Sequence, residues 1–424
     1  MAATAPRPGS ATDAISYADL YARWERSNWS ATDIDFTQDA VDWREKLTAQ
    51  QRRGALWMYA LFFHGEDSVA DNLSPYIDAA PLEEQKYFLT TQQVDEARHS
   101  VIFHRFMREV VGVGGDAPGA TLAGTAGQLT WGHRMVFSRL DQMADELRAD
   151  RSRTQLTKAV TLYHLIVEAS LAQPGQHMIA DYLEELDVLP GFREGMRNVE
   201  LDEQRHIGFG VKLLADFHQE DPAGTRDAIC EVLRDVLAWA TAVIQPPGWD
   251  ETYVTCFGKT LDDLGELGAA SLEQKLRAVG LDVGDLPRVP MRMDLPPRER
   301  AARGQLMLRH RFLGPHGPVV RDPESIEMFF DGMARTADAY AAPAGTVVQW
   351  DLTDSEPWHL VLDGAAARAV PGRAASPDLT LRCSLDDLAD LGAGRATGSR
   401  LLLRGRLRPR GDLRVLVRLP RIFG

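Results

Sequence analysis

Asp95-Glu96-Ala97-Arg98-His99 recurs as Asp202-Glu203-Gln204-Arg205-His206, each time inside a stretch whose apolar residues return at helical spacing. Residues three apart on a helix face the same way, so Glu96 and His99 can reach one point, and Glu203 and His206 can do so from a second helix. Two further helical runs each carry one carboxylate among apolar neighbours. These are Glu66 in Leu61-Phe62-Phe63-His64-Gly65-Glu66, and Glu168 in Leu162-Tyr163-His164-Leu165-Ile166-Val167-Glu168. Six candidate ligands on four helices result, which constrains the four helices to pack together.

A glutamate buried singly on an apolar helix face is costly unless it is paired, protonated or bound to a metal. Four of them with two histidines need cations. A single Glu-x-x-His would be read as solvated helix residues in ion pairs; the duplicate with both lone glutamates favours metal. Hard carboxylates with one imidazole per ion suit iron or manganese better than copper or zinc, and two divalent ions balance four carboxylates. One Glu from each of two helices plus a Glu-x-x-His from each of the other two is the ligand set of ferritin-like dimetal carboxylate bundles. Asp95 and Asp202 sit beside these ligands but face elsewhere, where each can orient a histidine of the opposite helix. Arg98 and Arg205 either pair with them or form surface salt bridges. Glu200, His64, His104, His164 and His177 are read as ordinary helix or core residues.

The spacing predicts helices over 48–79 and 81–111, another over 129–148, and two more over 155–186 and 192–217. The glutamates stand 30 residues apart in the first half and 35 in the second, a weak internal repeat. Pro174-Gly175 should kink or bulge the helix that carries Glu168. After the helices come four prolines between Leu286 and Pro297, read as the start of a linker over 286–323. Beyond it the period changes to two: Val348, Trp350, Leu352; Trp358, Leu360, Leu362; and Leu379, Leu381, Cys383 alternate as strands with one buried face. Helices near 327–340 and 385–391 flank them. The expected organisation is a flexible segment 1–20, a helical domain 21–285, the linker, and a smaller α+β domain 324–424.

With 424 residues, two domains are the default, and the net charge of -14 argues against nucleic acid as a partner. Cys230, Cys256 and Cys383 lie far apart, which suggests neither disulfides nor zinc. No stretch has the apolar length of a membrane span, and Met1 to Ala14 lack the apolar core of a secretory signal. A cytoplasmic location and a homodimer are the expectation. Residues 395–421 hold nine arginines against Asp412 alone. They form either a surface for an anionic headgroup or partner, or a solvated face or one docked on the acidic helical domain.

Over about 43–210 the chain resembles the ribonucleotide reductase small-subunit superfamily, and within it the ligand-binding oxidases that use a manganese-iron or di-iron centre. Reductase subunits keep a radical tyrosine four residues after the first motif's histidine, where this chain has Phe103. The ligand-binding oxidases form a tyrosine-valine ether crosslink at positions that here are Val69 and Tyr163. The resemblance carries that assignment, because five residues on an ideal helix turn Tyr163 about 140° from Glu168. The alternative is that both are core residues. Residues around Trp350-Asp351-Leu352-Thr353-Asp354, Pro377-Asp378-Leu379-Thr380-Leu381 and Leu403-Arg404-Gly405-Arg406-Leu407 resemble sterol-carrier-protein-like domains, which enclose an apolar tunnel. The fold class expected is thus mainly α: a ferritin-like four-helix-bundle core with extra helices, then a sterol-carrier-like α+β domain. The expected chemistry is dioxygen activation by two transition-metal ions and oxidation of a C-H bond of a hydrophobic, fatty-acyl-like ligand. An N-oxygenase or desaturase would use the same site, and a non-catalytic reading is a metal- or lipid-binding protein.

Overall fold

Helix α1 (Tyr17–Arg26) is the first element among the described residues, 15–423, of a computed structural model. Most of the segment expected to be flexible, 1–20, lies outside those residues, and α1 begins within its last part. Ser16 and Asp19 close a capping box that starts α1 inside it. The first half-bundle follows: α2 (Thr37–Glu45), α3 (Ala49–Asn72), α4 (Ser74–Ala79), α5 (Glu83–Phe106) with a π-turn at Met107–Val111, α6 (Pro118–Thr125) and α7 (Trp131–Ala149). The second half is α8 (Arg153–Val160), a π-helical stretch Thr161–Ala172, α9 (Gln173–Glu185), α10 (Pro190–Glu220), α11 (Pro222–Val243), α12 (Thr252–Thr255) and α13 (Leu261–Val279).

Local chemistry sets these boundaries. Thr48 and Gln51 form the capping box of α3. Pro190 stands at the first position of α10, where its missing N–H costs nothing. The orphan N–H groups of that helix are met from α2: Asp39 accepts from Gly191 at 2.9 Å and Phe192 at 2.7 Å, and Asp42 accepts from Leu189 at 3.1 Å. An apolar cluster that includes Tyr59, Phe63, Phe103, Phe106, Tyr182 and Phe192 fills the bundle. Among the described residues no helix is long and apolar enough to cross a membrane.

The distortion expected at Pro174-Gly175 is present but lies upstream of them. Residues 161–172 are π-helical and the regular helix resumes at Gln173. Proline cannot donate to the carbonyl one turn back, and the Ser170 carbonyl is instead approached by α13. A Cβ at Gly268 would come within 2.7 Å of that oxygen, so only glycine fits there.

The second compact unit comprises 233–242 and 284–424. The stretch read as a linker belongs to it and contains α14 (Pro297–Arg309), while α15 (Pro323–Thr336) precedes the sheet. Strands β1 (Thr346–Leu352), β2 (Trp358–Leu362), β3 (Ala367–Pro371), β4 (Leu379–Cys383) and β5 (Arg408–Gly411) are ordered β3-β2-β1-β4-β5. Only β1 and β4 run parallel, with Val348 opposite Leu379 and Trp350 opposite Leu381. Helices α16 (Leu385–Gly392), α17 (Gly398–Leu403) and α18 (Leu413–Ile422) complete the unit. The alternating residues Val348, Trp350, Leu352, Leu360, Leu362, Leu379, Leu381 and Cys383 face one core with Phe329, Phe330, Leu385, Leu388, Val415 and Ile422. Phe330 stacks on Trp358 at 4.7 Å.

Candidate metal centre

Four helical segments deliver the six residues singled out by the sequence. Glu66 comes from α3, Glu96 and His99 from α5, Glu168 from the π stretch, and Glu203 and His206 from α10. All are buried, none more than 5% exposed. Their donor atoms fall into two overlapping foursomes, Glu66-Glu96-His99-Glu203 and Glu96-Glu168-Glu203-His206, within each of which the atoms lie within 4.8 Å of one another. Glu96 and Glu203 belong to both sets. Glu66 with His99, and Glu168 with His206, complete one set each.

Both imidazoles turn Nδ1 inward. His99 Nδ1 lies 3.2 Å from Glu66 and 3.4 Å from Glu96, and His206 Nδ1 lies 3.1 Å from Glu96 and 3.7 Å from Glu168. Each Nε2 points out to the aspartate of the other motif, His99 to Asp202 at 3.2 Å and His206 to Asp95 at 3.1 Å. Each aspartate thus faces the histidine of the opposite motif. Arg205 donates to Asp95 at 3.1 Å and contacts Asp202, while Arg98 contacts Asp95 and lies 3.8 Å from Asp202. These are buried or nearly buried pairs rather than surface bridges.

Three partners were not foreseen. Trp24 and Trp29 donate their indole N–H groups to Asp95 and Asp202, each at 2.8 Å. Gln92 donates to Glu168 at 2.8 Å and faces His164 Nε2 at 3.3 Å. Gln92 lies one helical turn before Glu96, a spacing that could have flagged it; the tryptophans approach from sequence far away and carried no such signal.

Electrostatically the centre asks for cations. Burial raises Glu66 to about 7 and holds Glu168 and Glu203 well above the usual carboxylate range, the latter two pushed further by neighbouring carboxylates. Glu96 is held well below that range, because His206 and His99 outweigh its own desolvation. The two histidines are pushed up by the carboxylates against the effect of burial. Glu96, Glu168 and Glu203 each keep one buried oxygen without a hydrogen-bond partner, as does His206 Nδ1. Such orphans are rare in buried sites, and here they converge. Counting Asp95 and Asp202, six carboxylates face two guanidiniums, and two divalent ions would close the balance. The donor set and its unfilled lone pairs fit a pair of hard or borderline transition ions.

The remaining expected residues are also placed. Tyr163 is fully buried and donates to Glu96 Oε1 at 2.9 Å. The π stretch explains how: an i→i+5 pattern brings residues five apart nearly into line, where a regular helix would turn them away. Val69 is buried on α3, one turn beyond Glu66. Phe103 is buried and stacks on Phe62 at 6.0 Å. His164 is buried and pushed down to about 3 by desolvation, so it is neutral. Glu200 pairs with His177 at 3.4 Å, away from the centre.

Residues 329–424 match the SCP-2 sterol transfer family. Among solved structures, the R2-like ligand-binding oxidase from Sulfolobus acidocaldarius aligns at 25% identity and TM-score 0.52, over 64% of this chain and 93% of that one. A variant R2-like ligand-binding oxidase with anaerobically reconstituted Mn/Fe cofactor aligns at 24% identity and TM-score 0.54, over 62% and 92%, and supports the fold. Residues 14–244 match the family described as ribonucleotide reductase, small chain, more than half of the sequence, and the chain belongs to that family.

Proposed function

We propose that this protein is a dimetal oxidase that uses manganese and iron, or two irons, with dioxygen as co-substrate, to oxidise a C–H bond of a hydrophobic, fatty-acyl-like ligand. The observation that carries the reading is the pair of overlapping foursomes that share Glu96 and Glu203. In this reading Glu66 and His99 would help hold one ion and Glu168 and His206 the other, with Glu96 and Glu203 within reach of both. Bound there, the ions would supply the electrons that dioxygen reduction needs. A solved relative carries a Mn/Fe cofactor, which supports the choice of metals.

The chain's own groups supply orientation and dryness. Asp202 and Asp95 hold the outward ring nitrogens of His99 and His206, which leaves each inward Nδ1 free to donate its lone pair. The indoles of Trp24 and Trp29 and the guanidiniums of Arg98 and Arg205 fix those aspartates. Phe62, Phe63 and Phe103 contribute apolar surface beside the ligand helices, which excludes water from a reactive site. The sterol-carrier-like unit is read as a holder of acyl or sterol-like molecules. A cytoplasmic setting and a homodimer belong to the same reading.

Tyr163 and Val69 are the residues proposed for a crosslink. Its formation removes the phenolic hydrogen of Tyr163 and one C–H hydrogen of Val69, forms a C–O bond, and passes two electrons to dioxygen. Intact mass after aerobic loading with iron and manganese should fall by two hydrogens, mapped to peptides that contain Val69 and Tyr163, and Tyr163→Phe should abolish the loss. An unchanged mass removes the crosslink. The oxidase reading is tested separately by oxygen uptake of the reduced, metal-loaded protein. Uptake that rises on adding a long-chain fatty acid, with an oxidised product, supports it; metal binding without ligand-dependent uptake overturns it.

A further inference from the structure

Arginines dominate the last thirty residues, and the structure sorts them by what they touch. Arg395 is held by Asp390 at 2.7 Å and Arg406 by Asp387 at 2.5 Å. Arg408 donates to the Gly405 carbonyl at 2.9 Å, and neither it nor Arg400, Arg404, Arg410, Arg414, Arg418 or Arg421 has a carboxylate within ion-pair distance among the described residues. Three of these seven stand on α18, which Asp412 caps by accepting from the Arg414 N–H at 2.7 Å. Val415 and Ile422 of that helix are buried in the core of the unit, and Phe423 just beyond it packs edge-on against Trp350 at 5.7 Å. The outward side is unlike an ordinary solvated face. Leu413 is 67% exposed and Val417 78%, four residues apart, and they share one outer groove with Arg414, Arg418 and Arg421.

We propose that α18 is a docking surface for an anionic lipid bilayer. A helix lying in the membrane plane needs apolar side chains that reach the headgroup–acyl boundary and basic ones flanking them at phosphate level, and the outer stripe of α18 supplies both. Guanidiniums pair bidentately with phosphate oxygens, and a negative leaflet attracts each of them within a Debye length. Because the inner side of α18 is already anchored in a core, docking does not have to order the helix first. Nucleic acid would reward the arginines but leave Leu413 and Val417 exposed to water; an anionic bilayer satisfies both. The surface belongs to the unit matched to a sterol transfer family, but the inference rests on the α18 stripe and is independent of the metal chemistry.

The test is co-sedimentation of the full-length, metal-loaded protein with vesicles of phosphatidylcholine alone or mixed with phosphatidylglycerol. Binding to the mixed vesicles only, weakened by added salt, is the expected result. Arg414→Gln with Arg418→Gln should lower the partition coefficient by about 10- to 30-fold, and Leu413→Ser with Val417→Ser should also weaken it, with metal content and circular dichroism unchanged. No sedimentation, equal binding to both vesicle types, undiminished binding by these variants, or a preference for duplex DNA over the mixed vesicles would each overturn the proposal.

Discussion

Around Glu66 the ligand helix is regular and Phe62 stands one turn before it; around Glu168 it is π-helical, and Gln92, which meets His164, donates to the carboxylate. Four residues before each lone glutamate stand Phe62 in one half and His164 in the other. Phe62 stacks on Phe103, whereas His164 occupies space left by Gly210, where a Cβ would come within 2.3 Å of its own. Phe103 and Gly210 are themselves equivalent, each four residues after its motif's histidine. Gln92, which holds Glu168, has Val199 as its counterpart four residues before Glu203. The two halves thus repeat the ligands and the crossed Asp–His pairs but not the surroundings. In the proposed dimetal centre, whose donors are so nearly symmetric, such surroundings would make the two positions unequal, through the hydrogen bond of Gln92 to Glu168 on one side and the Phe62–Phe103 pair on the other.

The largest test of this comparison removes ligands one at a time. Glu203→Ala should abolish binding of both ions and Glu66→Ala or Glu168→Ala should leave one, measured as metal content per chain after anaerobic loading. Retention of one ion by Glu203→Ala and none by Glu66→Ala would show that the wrong carboxylates were taken as shared.

Proton release is the next effect in size. The metal-free fold holds protons on Glu66, Glu168, Glu203, His99 and His206 at pH values where the unfolded chain has begun to lose them. The folded state therefore binds more protons, and the stability of the metal-free protein should fall as pH rises from about 4.5 through 7. Bound metal displaces those protons, so affinity should rise more than about tenfold per pH unit over the same window, and melting of the loaded protein should show the opposite trend. Parallel melting curves for both forms would break the argument.

Smaller changes separate the halves. Asp202→Asn should weaken the position completed by His99, and Asp95→Asn that completed by His206, each by about 10- to 100-fold. The crossed assignment fails if each substitution acts on the histidine of its own motif. Gln92→Val, which copies the dry half into the polar one, should weaken only the Glu168 position, by about 10-fold. Titration with one equivalent of iron reads this, and equal weakening of both positions would erase the asymmetry.

Much of the centre was legible because helical spacing is local. Glu-x-x-His brings two ligands to one face whatever surrounds it, and Asp95 and Asp202 were read as serving the opposite histidines for the same reason. Trp24 and Trp29 were not legible, since they meet those aspartates across 71 and 173 residues of chain. Edge strands β3 and β5 escaped notice too. Neither buries a full face, so neither shows the alternation that marked β1, β2 and β4. Helix α14 was hidden among prolines read as a linker, although Pro297 marks its first turn.

What the sequence determined alone is the inventory of candidate ligands and their pairing within each helix, because side-chain direction along a helix follows from backbone geometry and needs no partner. Which carboxylates are shared, which ring nitrogen turns inward, and how Tyr163 comes round to Glu96 were decided by tertiary structure. Those depend on how four helices approach one another and on a π register that lets Tyr163 share a face with Glu168, and no periodicity in a single segment specifies either.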